Sequence, residues 1–176
     1  MDSSKQLLMT IYASLMAALM AVGAIFAIPI GPVPIVLQNL FVFLAGLLLG
    51  SRWGLASVSV YILAGAMGLP IFAQGMGGVG RLVGPTGGFL IGYIPAVYII
   101  GRISENGDHK AMWDAVAMII GTVVIYACGV TWLKILLGTT LVKILISMVP
   151  FLIVDAIKII AAVPIAKIVR PIIQKY

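Results

Sequence analysis

Six runs of mostly apolar residues, at about 7–28, 33–50, 53–71, 86–101, 112–133 and 145–168, take up most of this 176-residue chain and leave only short connections. A helix needs about 20 apolar residues to cross the hydrocarbon core, and lipid offers the backbone no hydrogen-bond partners. The pattern therefore predicts an all-α integral membrane protein, a single bundle of six transmembrane helices over 1–176. Its second, third and fourth helices are on the short side. Only 9% of residues are charged, against about 25% in soluble domains, so no large water-soluble domain is expected.

The net charge of +6 invites a nucleic-acid reading, but the positions of the cations oppose it. Lys5, Arg52, Arg102, Lys110, Lys167, Arg170 and Lys175 fall at one set of run ends, and Arg81, Lys134 and Lys143 at the other. Positive charge concentrates on the cytoplasmic side, which predicts both termini inside. Trp53, Trp113 and Trp132 sit at run ends, as interfacial aromatics do. The first run lacks a small-residue cleavage site and reads as a retained helix, not a signal peptide.

Asp155 and Lys158 lie inside the last apolar run. An intramembrane charge costs about 2.5–3.5 kcal/mol on insertion scales and marks function by default. Three residues apart, the two project about 60° from one another on one helix face. A carboxylate that only accepts and an ammonium that only donates can together hold a small polar molecule; alternatively they neutralise each other. Gln38 and Asn39 follow Gly31-Pro32-Val33-Pro34, read as a helix start, and carry amides into the bilayer at a depth similar to Tyr93.

Between the third and fourth runs, 74–92 holds eight of the chain's 20 glycines together with Gln74 and Arg81. The expected outer loop can bring backbone N–H groups and these side chains over a site. Gly75-Met76-Gly77-Gly78-Val79-Gly80 matches the dinucleotide fingerprint in letters only, because no strand–helix–strand context surrounds it. Nor does any G-x-x-x-x-G-K-[ST] occur, so energy from ATP requires another subunit. Gly65, Gly68 and Pro70 predict a break at the end of the third run. Ala13, Ala17 and Ala21 form a small-residue stripe that serves either internal packing or a partner helix.

Catalysis finds no support. His109 lies in a polar loop beside Asp108, and the lone Cys128 has no base or fellow ligand, so neither a nucleophile pair nor a metal site is expected.

Taken in order, Gly31–Gln38 (GPVPIVLQ), Ala45–Gly50 (AGLLLG), Gly68–Ala73 (GLPIFA), Gly84–Gly88 (GPTGG) and Pro150–Lys158 (PFLIVDAIK) resemble the biotin-specific substrate-binding subunits of energy-coupling factor (ECF) transporters, the BioY family. Val36 stands where that family often has Thr, and Val154 where Gly is common. The resemblance implies a six-helix bundle in a prokaryotic plasma membrane that captures biotin from outside. It would work with a transmembrane coupling subunit and two ATP-hydrolysing subunits, toppling in the membrane to release its cargo. On this reading biotin is the ligand, with no cofactor, metal or nucleic acid. Asp155, Lys158, Gln38, Asn39, Arg81, Tyr93 and Gln74 would bind it, with Leu82 and Phe89 in the apolar wall. Ala13, Ala17 and Ala21 would dock the coupling subunit. A stand-alone proton-coupled carrier titrating at Asp155, or capture of a different vitamin, are the alternatives.

Overall fold

The structure is a computed structural model that describes residues 3–30 and 32–174. It consists of helix α1 (Ser3–Ile25), strands β1 (Ala27–Ile30) and β2 (Val33–Val36), helix α2 (Gln38–Ala66), a 3-10 turn (Ala73–Gly75), and helices α3 (Val79–Val83), α4 (Gly87–Asn106), α5 (Ala111–Leu137) and α6 (Leu141–Gln174). Five of the helices are long and apolar enough to cross a membrane.

The sixth expected crossing is hidden in α2, which breaks at Gly50 (φ 75°). Gly46 and Gly54 both abut Val97, and Gly54 lies against the carbonyl of Ala45. In a continuous helix, residues 45 and 54 would stand about 13 Å apart along the axis. The chain therefore reverses at Gly50 into two arms, 38–49 and 51–66. Both sides of the reversal are capped by other helices. Glu105 of α4 accepts from the Ser51 N–H at 2.8 Å, at the start of the second arm. Arg170 of α6 donates twice to the Leu47 carbonyl, at 3.0 and 3.2 Å, at the end of the first. Anion at a helix start and cation at a helix end is the arrangement the helix dipole favours.

Arg170 is buried and ties together everything at this end of the bundle. It also donates to Asp114 of α5 at 2.9 Å, to Ser104 of α4 at 3.3 Å and to the His109 carbonyl at 2.9 Å. Ser104 Oγ lies 3.1 Å from His109 Nδ1. Burial, together with the Arg170 guanidinium, pushes His109 below its ordinary imidazole range, with Asp114, Glu105 and Asp108 opposing.

At the opposite end the expected start of the second helix is corrected: residues 33–36 form a strand paired antiparallel to 27–30. The β-branched residues Ile28, Ile30, Val33, Ile35 and Val36 favour extension. Pro29 faces Pro34 across the pair, a match that neither ring could make at a hydrogen-bonded position. The ribbon is tied down where the Leu37 N–H donates to the Gly23 carbonyl at 3.1 Å, satisfying an orphan carbonyl of α1. The break anticipated after the third run occurs, with Met67 capping α2 and Gly68 at φ 104°.

One core runs through α1, both arms of α2, α4, the C-terminal half of α6 and part of α5; a second joins Val33 and Ile35 to Val130, Leu133, Ile144, Met148 and Phe151. The outward faces carry Leu7, Ile11, Val123, Ile146, Ile153 and Ile160, each more than half exposed, which suits lipid. The alanine stripe expected to dock a coupling subunit lies largely against the chain's own core. Ala13 and Ala17 are 4% and 7% exposed within the chain, packed with Met16 and Met20, and Ala21 is partly buried against the same core. Small side chains there let α1 approach α2 closely. Beyond its first two residues, Ser3 and Ser4, the small residues that α1 leaves exposed are Thr10, Ser14 and Ala18.

Candidate functional site

Beneath the β1–β2 ribbon a pocket opens between α2, α4, α5 and α6. Its empty volume is about 650 Å³ with the open mouth included, and Gln38, Asn39, Arg81, Tyr93, Asp155 and Lys158 all line it. Six of the seven residues expected to bind ligand are thus brought together from four elements, α2, α3, α4 and α6. Gln74 is not. It sits exposed on the 3-10 turn with φ 65°, away from the lining. Leu82 is likewise absent from the wall, while Phe89 forms part of it.

The polar floor is built on α6. Lys158 Nζ lies 2.6 Å from Asp155 Oδ1, and the two residues are 6% and 2% exposed. Their three-residue spacing places both on the pocket face, as the helical geometry requires. Tyr126 of α5 donates to Asp155 Oδ2 at 2.8 Å. From the first turn of α2, Asn39 Nδ2 sits 3.3 Å from both carboxylate oxygens, and its Oδ1 accepts from Tyr93 of α4 at 2.6 Å. Three elements, α2, α5 and α6, thus meet at one carboxylate, and α4 joins through Asn39.

Gln38 is 1% exposed, and its Nε2 has no hydrogen-bond partner among the described residues. A buried donor left unpaired costs about 1–3 kcal/mol, which makes this amide a ready contact for an acceptor entering the pocket. The walls are apolar. Val33 to Val36, Phe72, Phe89, Leu90 and Phe151 contribute, and Phe89 packs edge-on to Tyr126. Phe72 is held edge-on to Tyr61, whose hydroxyl donates to the Ile71 carbonyl at 2.9 Å. Arg81, on α3, is the partly exposed cation of the lining, with Nη2 against Met76 Sδ. Charge at one end, hydrocarbon along the sides and a second cation near solvent suit a slender molecule with polar groups at both ends.

Sequence reasoning misses Tyr126, Phe72, Thr86, Phe151 and the whole ribbon. The one available signal was a phenol in the middle of the fifth apolar run, a polar group at the depth of Asp155.

Helices with lipid-facing apolar surfaces around an enclosed polar floor define a membrane-embedded solute-binding protein. A family model described as the BioY family matches residues 1–175, and this chain belongs to that family. It is 43% identical over 156 residues to the biotin transporter BioY of Thermotoga maritima, covering 89% of this chain and 92% of that protein. With the biotin transporter BioY of Rhizobium etli it shares 36% identity over 170 residues, covering 91% and 90%. Among solved structures it resembles the crystal structure, at 2.1 Å, of the S-component for biotin from an ECF-type ABC transporter. The TM-score is 0.91 at 29% identity, over 97% of this chain and 94% of that one.

Proposed function

We propose that this protein captures biotin at the outer face of the membrane as the substrate-binding subunit of an ECF-type transporter, with ATP hydrolysis in separate subunits. The similarity to biotin transporters sets the substrate class. The observation that carries the reading is the Asp155–Lys158 pair at 2.6 Å on the floor of an apolar-walled pocket, beside Gln38 Nε2, which has no partner among the described residues. The bicyclic ureido head enters first: its N–H groups face Asp155 and its carbonyl faces Gln38 Nε2 or Lys158. The valeryl chain lies along Phe89 and Phe151, and the carboxylate meets Arg81. Biotin is cargo, and the site calls for no cofactor.

Both termini face the cytoplasm on this reading, as the distribution of Lys and Arg supports. A transmembrane coupling subunit and two ATP-binding subunits complete the transporter. They engage a surface other than Ala13 and Ala17, which are occupied within the chain.

The test is calorimetric titration of the detergent-purified chain with biotin, with thiamine and riboflavin as controls. Tight binding of biotin alone is expected. Tight binding of either control, or of none of the three, refutes the assignment.

A further inference from the structure

The Asp155 carboxylate is surrounded by donors of the chain itself. An ionised carboxylate offers about four acceptor positions, two on each oxygen. Oδ1 accepts from Lys158 Nζ and Oδ2 from Tyr126 Oη, and the one Asn39 Nδ2 spans the side between them in a long three-centre contact. A ligand N–H that approaches on that side must displace the Asn39 amide. The three donors are unequal. Lys158 at 2.6 Å and Tyr126 at 2.8 Å make short, charge-assisted contacts. Asn39 straddles both oxygens at 3.3 Å, beyond the usual N–H···O range.

We propose that Asn39 is a stand-in for the ligand: its amide holds the acceptor position of Asp155 while the pocket is empty and yields it to a ligand N–H on binding. Two features equip it for this. The Tyr93 hydroxyl holds Asn39 Oδ1 at 2.6 Å, so the amide is tethered on its acceptor side and pivots on its donor side. Asn39 is also half-buried at the pocket wall, in the first turn of α2, beside the ribbon rather than sealed in the core. The arrangement keeps a buried carboxylate satisfied between ligands. It also selects by chemistry: a molecule lacking an N–H donor cannot replace the hydrogen bond it removes. The inference rests on the biotin reading and identifies which ligand group meets Asp155.

The test is biotin titration and thermal unfolding of the full-length wild type and Asn39→Ala. Removing a competitor should tighten biotin binding several-fold. The empty variant should melt below the empty wild type, and the two should melt together when saturated, so the biotin-induced rise in Tm is larger in the variant. Where Asn39→Ala cannot be purified, Asn39→Ser tests the same direction with a smaller gain. Weakening of ten-fold or more in either variant makes Asn39 a ligand contact and overturns the inference while leaving biotin capture standing. Failure of the wild type to bind biotin overturns both.

Discussion

Lys158→Met separates a ligand site from a self-contained ion pair. The substitution conserves volume and apolar length but leaves Asp155, 2% exposed, with only Tyr126 and the long Asn39 contact. Breaking a buried pair by removing one partner costs about 3–5 kcal/mol, because the remaining charge stays desolvated. Adding Asp155→Asn removes that charge, and a neutral amide still accepts from Tyr126, so the double variant should recover most of the loss. Binding should not recover. Each charge-assisted hydrogen bond to the ligand contributes about 1.5–3 kcal/mol, so the double variant should bind biotin at least about 100-fold more weakly than wild type. Denaturant unfolding in detergent measures the first quantity and calorimetry the second. Stability within about 1 kcal/mol of wild type in the single variant refutes the desolvation argument. Near-wild-type affinity in the double variant makes the pair purely structural.

Three further outcomes are expected. Gln38→Leu removes a buried unpaired donor and should stabilise the empty protein by about 1 kcal/mol or more while weakening biotin binding about ten-fold, read by melting and titration. Arg170→Met strands Asp114, which is 2% exposed, and should cost about 3–5 kcal/mol, with much of it restored by adding Asp114→Leu; an unchanged unfolding curve removes the argument for the Arg170 cluster. His109 has a folded pKa below its unfolded value, so the unfolded state binds more protons between the two. Stability should therefore fall as pH drops below about 6.5, and His109→Gln should flatten that part of a melting-temperature profile.

Much of the site is legible in the sequence because hydrocarbon makes polar residues conspicuous. Asp155, Lys158, Gln38, Asn39 and Tyr93 stand out against their runs, and helical spacing alone places the first two on one face. Tyr126 escapes notice because its contact depends on the rotation of α5 against α6, which the apolar runs leave open. The ribbon escapes for a different reason: Pro32 and Pro34 serve a helix start as readily as a strand, and only the partner at 27–30 decides. Gly50 reads as a loop glycine, whereas its positive φ joins two arms almost without a loop. The alanine stripe shows that spacing identifies a close-packing face without saying whose backbone approaches it.

The reversal at Gly50 also bears on how the chain enters the membrane. Its first arm has about 12 residues and rises roughly 18 Å, well short of a 30 Å hydrocarbon core. In the finished protein this causes no mismatch, because residues 42–49 are all buried by neighbouring segments and meet no lipid. During synthesis only α1 among those neighbours is already made; α4 and α6 do not yet exist. The arm is too short to hold a spanning position alone, and its early partners are α1 and the segment that follows. Insertion should thus take 38–66 as one hairpin, with the second arm drawing in the first, and the pocket floor can assemble only after α6, the last helix made, has joined them.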